Sequence, residues 1–165
     1  MELNKDSIRQ TYIQVLDNTL RKKLKVLEEL LQLTEQHEII FISENFSEEQ
    51  FLQIVDHKEE RISELSKLDQ GFEQLYSNVQ EELTLNKNRY TKEINEMKEL
   101  ITRITDISVK LQALEKRNKS KLEIILAKKR REIKTSRLSN QTVANYYKTI
   151  SQQNKTESFF YDKKK

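Results

Sequence analysis

The polar stretch Asn86-Lys-Asn-Arg89 lies between two long segments of helical pattern and determines whether they form one rod or a hairpin. On both sides of it, apolar residues recur every three or four positions, which is the spacing of one face of an α-helix. A continuous helix over residues 48–137 would be roughly 135 Å long at ~1.5 Å per residue, and a monomer could not bury the apolar stripe of such a rod. We therefore predict a turn at residues 85–89 and an antiparallel hairpin. A long coiled-coil dimer is the alternative.

A third helical segment precedes these two. Its apolar residues follow one another at spacings of three or four and draw one stripe, which consists of Ile13, Leu16, Leu20, Leu24, Leu27 and Leu31. We expect helices over about residues 6–42, 48–85 and 89–136, with the first helix packed alongside the hairpin formed by the other two.

The boundary between the first and second segments has a clear helix-start signal. Ser47 is a good N-cap residue, and Gln50 follows it three positions later, as in a capping box. Phe46 and Phe51 flank this cap and are spaced to form a hydrophobic staple. The second helix is therefore predicted to begin directly after Ser47.

The composition also favours helices. The 165 residues include no proline, no cysteine and one glycine, Gly71. Proline in a helix interior costs roughly 3 kcal/mol and glycine about 1 kcal/mol relative to alanine. The predicted fold class is all-α, an antiparallel coiled-coil bundle of three long helices followed by a short C-terminal helix and tail. Gly71 lies inside the second stripe without a turn signal, and we expect it to permit close approach of a neighbour.

Few residues are available for catalysis. With no cysteine and one glycine, the chain offers no thiolate site and no glycine-rich phosphate loop. The two histidines, His37 and His57, do not have the Glu-x-x-His spacing of di-iron bundles, because Thr34 and Ile54 stand at the required positions. We expect both histidines on the solvated surface. The sequence therefore predicts a protein that is not an enzyme and that has no metal site and no cofactor.

Charge is distributed unevenly along the chain. Residues 1–115 have 15 Lys and Arg against 23 Asp and Glu, a net charge of −8, whereas residues 116–165 have 15 against 4, a net charge of +11. The basic run over residues 116–131 can pair with the acidic first and second helices. Alternatively, it can contact nucleic acid through salt-sensitive binding, although no helix-turn-helix, zinc finger or aromatic platform accompanies it.

The C-terminal part differs in character from the bundle. Residues 1–137 are predicted as the helical bundle, and residues 138–165 as a short amphipathic helix with an aromatic and basic tail. The short helix contains Val143, Tyr146, Tyr147 and Ile150, and the tail contains Phe159, Phe160 and Tyr161. Large rings near a chain end either fold back onto the bundle or anchor a partner.

No segment predicts membrane insertion or secretion. The longest apolar run, residues 39–42, is far shorter than the ~20 residues that span a bilayer. The polar N-terminus has no signal-peptide pattern. We expect a soluble, cytoplasmic protein.

The second helical segment opens with a Lys-Glu pair and continues into leucine heptads, in the pattern Phe51-Leu-x-Ile-Val-Asp-x-Lys-Glu-Glu-Arg-Ile-x-x-Leu-x-x-Leu-Asp-x-Gly-Phe-x-x-Leu-Tyr76. Two further segments are Leu114-Glu-Lys-Arg-Asn-Lys119 and Asn145-Tyr-Tyr-Lys148. Together they resemble the FlgN/FliT family of flagellar type III export chaperones, in its Gram-positive, FlgN-like branch. The resemblance covers most of residues 8–150.

The resemblance implies a mechanism. Chaperones of this family bind the aggregation-prone C-terminal helices of hook-associated or filament-cap proteins in the cytoplasm and deliver them to the export gate and its ATPase complex. Such recognition places an amphipathic substrate helix in an apolar groove. In some relatives the C-terminal helix covers the binding surface, so here it can act as a displaceable lid. We expect the contacts to come from Leu111, Leu114, Leu122, Ile125, Val143, Tyr146, Tyr147 and Ile150.

A structural coiled-coil dimer or scaffold is the main alternative function. The apolar pattern that continues over residues 48–137 is the feature that favours it. A homodimer is compatible with the chaperone as well.

Overall fold

The computed structural model describes residues 2–132 and 142–151, with side chains from residue 7 to 130 and from 142 to 151. Three long helices follow one another, namely α1 (Glu2–Ile42), α2 (Glu48–Leu85) and α3 (Thr91–Glu132). Residues 142–151 form a fourth, short helix, α4. The predicted all-α fold class, with three long helices and a short C-terminal one, is confirmed.

The observed helices begin at different residues from the predicted ones in two cases, α1 and α3. The predicted ends at residues 42, 48 and 85 agree with the structure. However, α1 already begins at Glu2 because no helix breaker precedes residue 6, and α3 begins at Thr91 because the turn extends through residue 90. Three predictions lie outside the described residues: the helix end at 136, the boundary between 1–137 and 138–165, and the tail aromatics Phe159, Phe160 and Tyr161.

The chain turns between α2 and α3 over residues 86–90. Asn86 is the C-cap of α2. Its backbone N–H donates to the Glu82 carbonyl oxygen and its side-chain amide donates to the Glu82 carboxylate, each at 3.0 Å. Backbone hydrogen bonds of 3.0 and 3.2 Å within the turn then close it. The predicted turn is confirmed, and the alternative of one rod over residues 48–137 is wrong, because α2 ends at Leu85 and α3 begins only at Thr91.

Ser47 begins α2 as predicted. Its side-chain oxygen accepts a hydrogen bond of 3.2 Å from the Gln50 backbone N–H. The rings of Phe46 and Phe51 lie on either side of this cap with their centroids 6.2 Å apart. The cap and the staple together set the angle at which the chain enters α2.

The central helix of the molecule is α1, which packs closely against both α2 and α3. It runs antiparallel to α2, which brings Lys23 to within 2.7 Å of Asp69 in a buried ion pair. It runs parallel to α3, which brings Glu38 to within 3.9 Å of Arg117. In the described parts of α2 and α3, by contrast, no Cα atom of one helix lies within 8 Å of a Cα atom of the other. A groove therefore remains between α2 and α3, with α1 as its floor.

The predicted apolar stripes form the core. In the stripe of α1, Leu31 is half-buried and the other members are buried, namely Ile13, Leu16, Leu20, Leu24 and Leu27. The aromatic side chains of Phe51, Phe72 and Tyr90 are also buried. Because each such side chain contributes about 1.5–3 kcal/mol when fully buried, the stripes account for the side-by-side packing of the long helices.

The single glycine does not have the role that the sequence suggested. Gly71 lies in the middle of α2, as expected, with an ordinary helical backbone. A Cβ added to it would meet no atom within 4 Å outside its own helical surroundings. The prediction that Gly71 permits close approach of a neighbour is therefore wrong.

Candidate functional site

The short helix α4 occupies the groove between α2 and α3. Its buried side chains are Val143, Tyr146 and Ile150, which lie on one face at the spacing of an amphipathic helix. Tyr146 contacts all three long helices: its ring lies 6.2 Å from the His37 ring of α1 and 4.9 Å from the Lys58 ammonium of α2, and its hydroxyl bonds to a carboxylate of α3. α4 thus covers one part of the groove.

Beneath Tyr146 lies a buried polar cluster that draws one residue from each helix. Its centre is the α3 carboxylate of Glu115, which is ion-paired to Lys58, the latter fully buried. The Thr34 hydroxyl of α1 lies 3.0 Å from Glu115 Oε1, and the Tyr146 hydroxyl donates to Oε1 at 3.0 Å and to Oε2 at 3.3 Å. We call Thr34, Lys58, Glu115 and Tyr146 the Glu115 network.

Burial changes the acid–base behaviour of this network. It lowers the pKa of the Lys58 ammonium, and the Glu115 carboxylate beside it opposes that shift. Burial, followed by the charge of Glu115, raises the pKa of Tyr146 well above 10.0. Tyr146 therefore keeps its proton across the ordinary pH range, and its neutral hydroxyl donates a hydrogen bond to the Glu115 carboxylate.

His37 lies next to the network and is buried, with 1% of its surface exposed. Its ring stacks on Phe51 at 4.7 Å, and its Nε2 lies 3.3 Å from the Phe51 carbonyl oxygen. Burial first, and then the Lys58 charge, lower the pKa of His37 to about 3. The prediction that both histidines are on the surface is wrong for His37 and right for His57, which is exposed.

A second buried polar residue, Asn118, lies one turn further along α3 and is completely buried. Its side-chain amide donates a hydrogen bond of 3.0 Å to the Thr34 carbonyl oxygen. Its Oδ1 is buried without a hydrogen-bond partner among the described residues. Four residues of this region were not predicted as site residues, namely Thr34, Lys58, Glu115 and Asn118. The spacing of Leu30, Thr34 and His37 nevertheless continues the buried stripe of α1.

Seven of the eight predicted contact residues belong to the hydrophobic core of the molecule or pack against it. Leu111 and Leu122 of α3 belong to the same continuous core as the three buried residues of α4, and Ile125 and Tyr147 are half-buried against it. These predicted contacts are Leu111, Leu122, Ile125, Val143, Tyr146, Tyr147 and Ile150. Lys119 lies over the Tyr147 ring at 5.5 Å.

Leu114 points to a different surface. It lines a cleft of about 590 Å³ between α1 and α3, together with Leu31, Ile39 and Ala113. Charged side chains complete the lining, with Glu35 and Glu38 from α1 and Lys110 and Arg117 from α3. Leu114 is therefore separated from the α4 groove although it lies next to Glu115 in sequence.

The basic part of α3 lies partly against acidic residues of the other helices. Lys129 is 3.6 Å from Glu48 of α2, and Arg117 and Lys121 lie 3.9 and 4.0 Å from Glu38 of α1. Exposed pairs of this kind contribute about 0–1 kcal/mol each. Their geometry agrees with the prediction that the basic run pairs with acidic helices.

No protein-family model, curated protein or solved structure matches this chain. None of the described helices has the length and apolarity needed to cross a membrane. In the same part of the chain, His, Asp and Glu side chains form no group of three that could hold a metal ion. The function is therefore inferred from the groove and from the residue pattern.

Proposed function

We propose that this protein is a cytoplasmic flagellar export chaperone. It binds an amphipathic C-terminal helix of a hook-associated or filament-cap protein and delivers it to the export gate and ATPase complex of the type III apparatus. The observation that carries this proposal is that an amphipathic helix, α4, already lies in the groove between α2 and α3. The groove is thus shaped for a helix, and α4 acts as its lid.

α4 is the helix that a partner can displace most easily. Its described part, residues 142–151, is ten residues long, whereas α1, α2 and α3 have 41, 38 and 42 residues. Most helical stability in proteins comes from tertiary packing of an amphipathic face, so the contacts of Val143, Tyr146 and Ile150 hold α4 in place. A longer amphipathic helix from a partner buries more apolar surface in the same groove and replaces it.

The residue pattern also supports the flagellar assignment, because the segments that carry the family resemblance meet in the folded protein. The three segments that resemble the FlgN/FliT family are separate in sequence, yet each supplies one member of the Glu115 network. Lys58 belongs to the first segment, Glu115 to the second and Tyr146 to the third. The residues behind the resemblance therefore meet at the site proposed for substrate binding.

The test is co-purification of the tagged full chain with hook-associated and cap proteins in a flagellated host. Ile150→Asp places a charge on the buried face of α4 and is expected to open the groove and increase capture. Ala144→Asp places the same charge on the exposed face and serves as the matched control, which should capture as the wild type does. Failure of both the wild type and the Ile150→Asp variant to capture any of these proteins would overturn the proposal.

A further inference from the structure

The groove under α4 is not uniformly apolar, because it contains the Glu115 carboxylate. This carboxylate requires a hydrogen-bond donor on the helix that lies over it. We propose that Glu115 selects the helix that binds there, by accepting a hydrogen bond from a tyrosine of the incoming helix. The partner helix then presents this tyrosine at the position of Tyr146, with an apolar residue three positions before it and another four positions after it. This inference rests on the proposed function, in which a partner helix replaces α4.

The positions of the donors around Glu115 show why its Oε2 atom needs a donor from the helix in the groove. Lys58 and Thr34 both bond to Oε1, and of the donors in the Glu115 network only Tyr146 reaches Oε2, at 3.3 Å. The single hydroxyl hydrogen of Thr34 is also shared with the Leu30 carbonyl oxygen, which lies 2.7 Å away. A buried carboxylate oxygen that loses its donor bears the full cost of desolvation.

The surroundings of Tyr146 narrow the class of donor. A lysine at this position would bring a second cation beside Lys58, and an aspartate or glutamate would repel Glu115. The donor must therefore be neutral. The slot also favours an aromatic ring, since the Tyr146 ring makes an edge contact with the His37 ring at 6.2 Å and has the Lys58 ammonium over it at 4.9 Å. Tyrosine meets both conditions, whereas phenylalanine fills the slot but leaves Oε2 without its donor.

The spacing of the partner follows from the buried face of α4. Val143 precedes Tyr146 by three positions and Ile150 follows it by four, and all three are buried. Ala144 and Lys148 lie on the opposite, exposed side. The expected signature in a substrate helix is therefore apolar-x-x-Tyr-x-x-x-apolar, with polar residues permitted elsewhere.

The experiment measures peptide binding to the full chain. Val143→Asp combined with Ile150→Asp weakens the docking of the chain's own α4 and leaves the groove accessible. The probe is a fluorescent peptide that copies residues 138–155 and is helix-stapled between positions 144 and 148. It is compared with two versions that carry phenylalanine or O-methyltyrosine at position 146. We expect the tyrosine peptide to bind roughly tenfold tighter than either version.

A paired substitution in the protein checks that Glu115 causes the preference. Lys58→Met combined with Glu115→Leu replaces the ion pair by apolar residues of similar volume, an exchange that buried ion pairs often tolerate. In this background the preference for tyrosine over phenylalanine is expected to disappear. Circular dichroism melting shows whether the double variant folds, and the O-methyltyrosine peptide tests the same bond without any change to the Glu115 network.

The outcomes separate this inference from the proposed function. Equal binding of the tyrosine, phenylalanine and O-methyltyrosine peptides would overturn selection by Glu115 and leave the groove as a helix-binding site. If none of the three peptides binds to the opened chain, both the selection by Glu115 and the role of the groove as a helix-binding site would be overturned.

Discussion

Glu115 is the residue at which all four helices meet. It receives Thr34 from α1, Lys58 from α2 and Tyr146 from α4. Replacing a buried ion pair by apolar residues is often neutral or stabilising, whereas removing one partner costs about 3–5 kcal/mol. We therefore assign the network a role in fixing the position of a helix in the groove rather than in adding net stability.

His37 makes the stability of the protein dependent on pH. Its folded pKa is lowered to about 3, whereas its ordinary value is 6.5. Below pH 6.5 the unfolded chain binds a proton that the folded protein does not, so the free energy of unfolding falls as the pH falls. Between about pH 7.5 and about pH 5.5, His37 is expected to reduce it by about 1.4 kcal/mol. Urea unfolding at the two pH values measures this difference.

The two histidines provide their own control for this prediction. His37→Phe keeps a ring in the buried site and should remove the dependence, while His57→Gln changes an exposed residue and should leave it unchanged. If His37→Phe retains the full pH dependence, the assignment to His37 is wrong.

At the scale of the elements, the glycine of α2 is available for stabilisation. Glycine in a helix interior is destabilising by roughly 0.5–1 kcal/mol relative to alanine, and an added methyl group at Gly71 meets no atom within 4 Å outside its own helical surroundings. Gly71→Ala is therefore expected to raise the free energy of unfolding by about that amount. Urea or thermal unfolding is the measurement, and a destabilised variant would mean that a neighbour closely approaches Gly71 after all.

The boundaries of the long helices were predictable because their signals are local. Helical spacing of apolar residues and the N-cap at Ser47 act within a few residues, and the predicted ends at 42, 48 and 85 agree with the structure. His37 carried an equally local signal, since it continues the buried spacing of Leu30 and Thr34. The burial of His37 could therefore have been predicted from this spacing.

The Glu115 network was not predictable from the sequence, because its bonds join distant positions. Thr34 and Glu115 are 81 residues apart, and Lys58 and Glu115 are 57 apart. Charged residues at such positions look like parts of solvated helix faces until the packing of α2 and α3 around α1 is known. The position of Leu114 in another cleft has the same origin, since the faces of α3 are assigned by its neighbours.

At the scale of the whole molecule, three long helices form a frame and a short helix closes the groove that they leave. The frame presents a buried carboxylate at the bottom of that groove, and α4 supplies the apolar residues and the hydroxyl that satisfy it. A partner helix that makes the same contacts competes with α4 for a single site. In the proposed function, closure of α4 and binding of a partner are therefore mutually exclusive.

This exclusivity is testable with a lock on α4 in the full chain. The protein has no cysteine, so Lys119→Cys combined with Tyr147→Cys introduces one pair across the α3–α4 contact, and a short bis-maleimide joins it. A second lock, Glu28→Cys with Arg103→Cys, replaces an exposed 3.8 Å ion pair between α1 and α3 and serves as the control.

The decisive measurement is the capture of a hook-associated or cap protein by the chain before and after the α4 lock is closed. Closing the α4 lock is predicted to nearly abolish capture, because α4 then cannot leave the groove, whereas closing the control lock is predicted to leave capture unchanged. Undiminished capture by the chain with α4 locked would contradict the account, because the partner would then bind outside the groove.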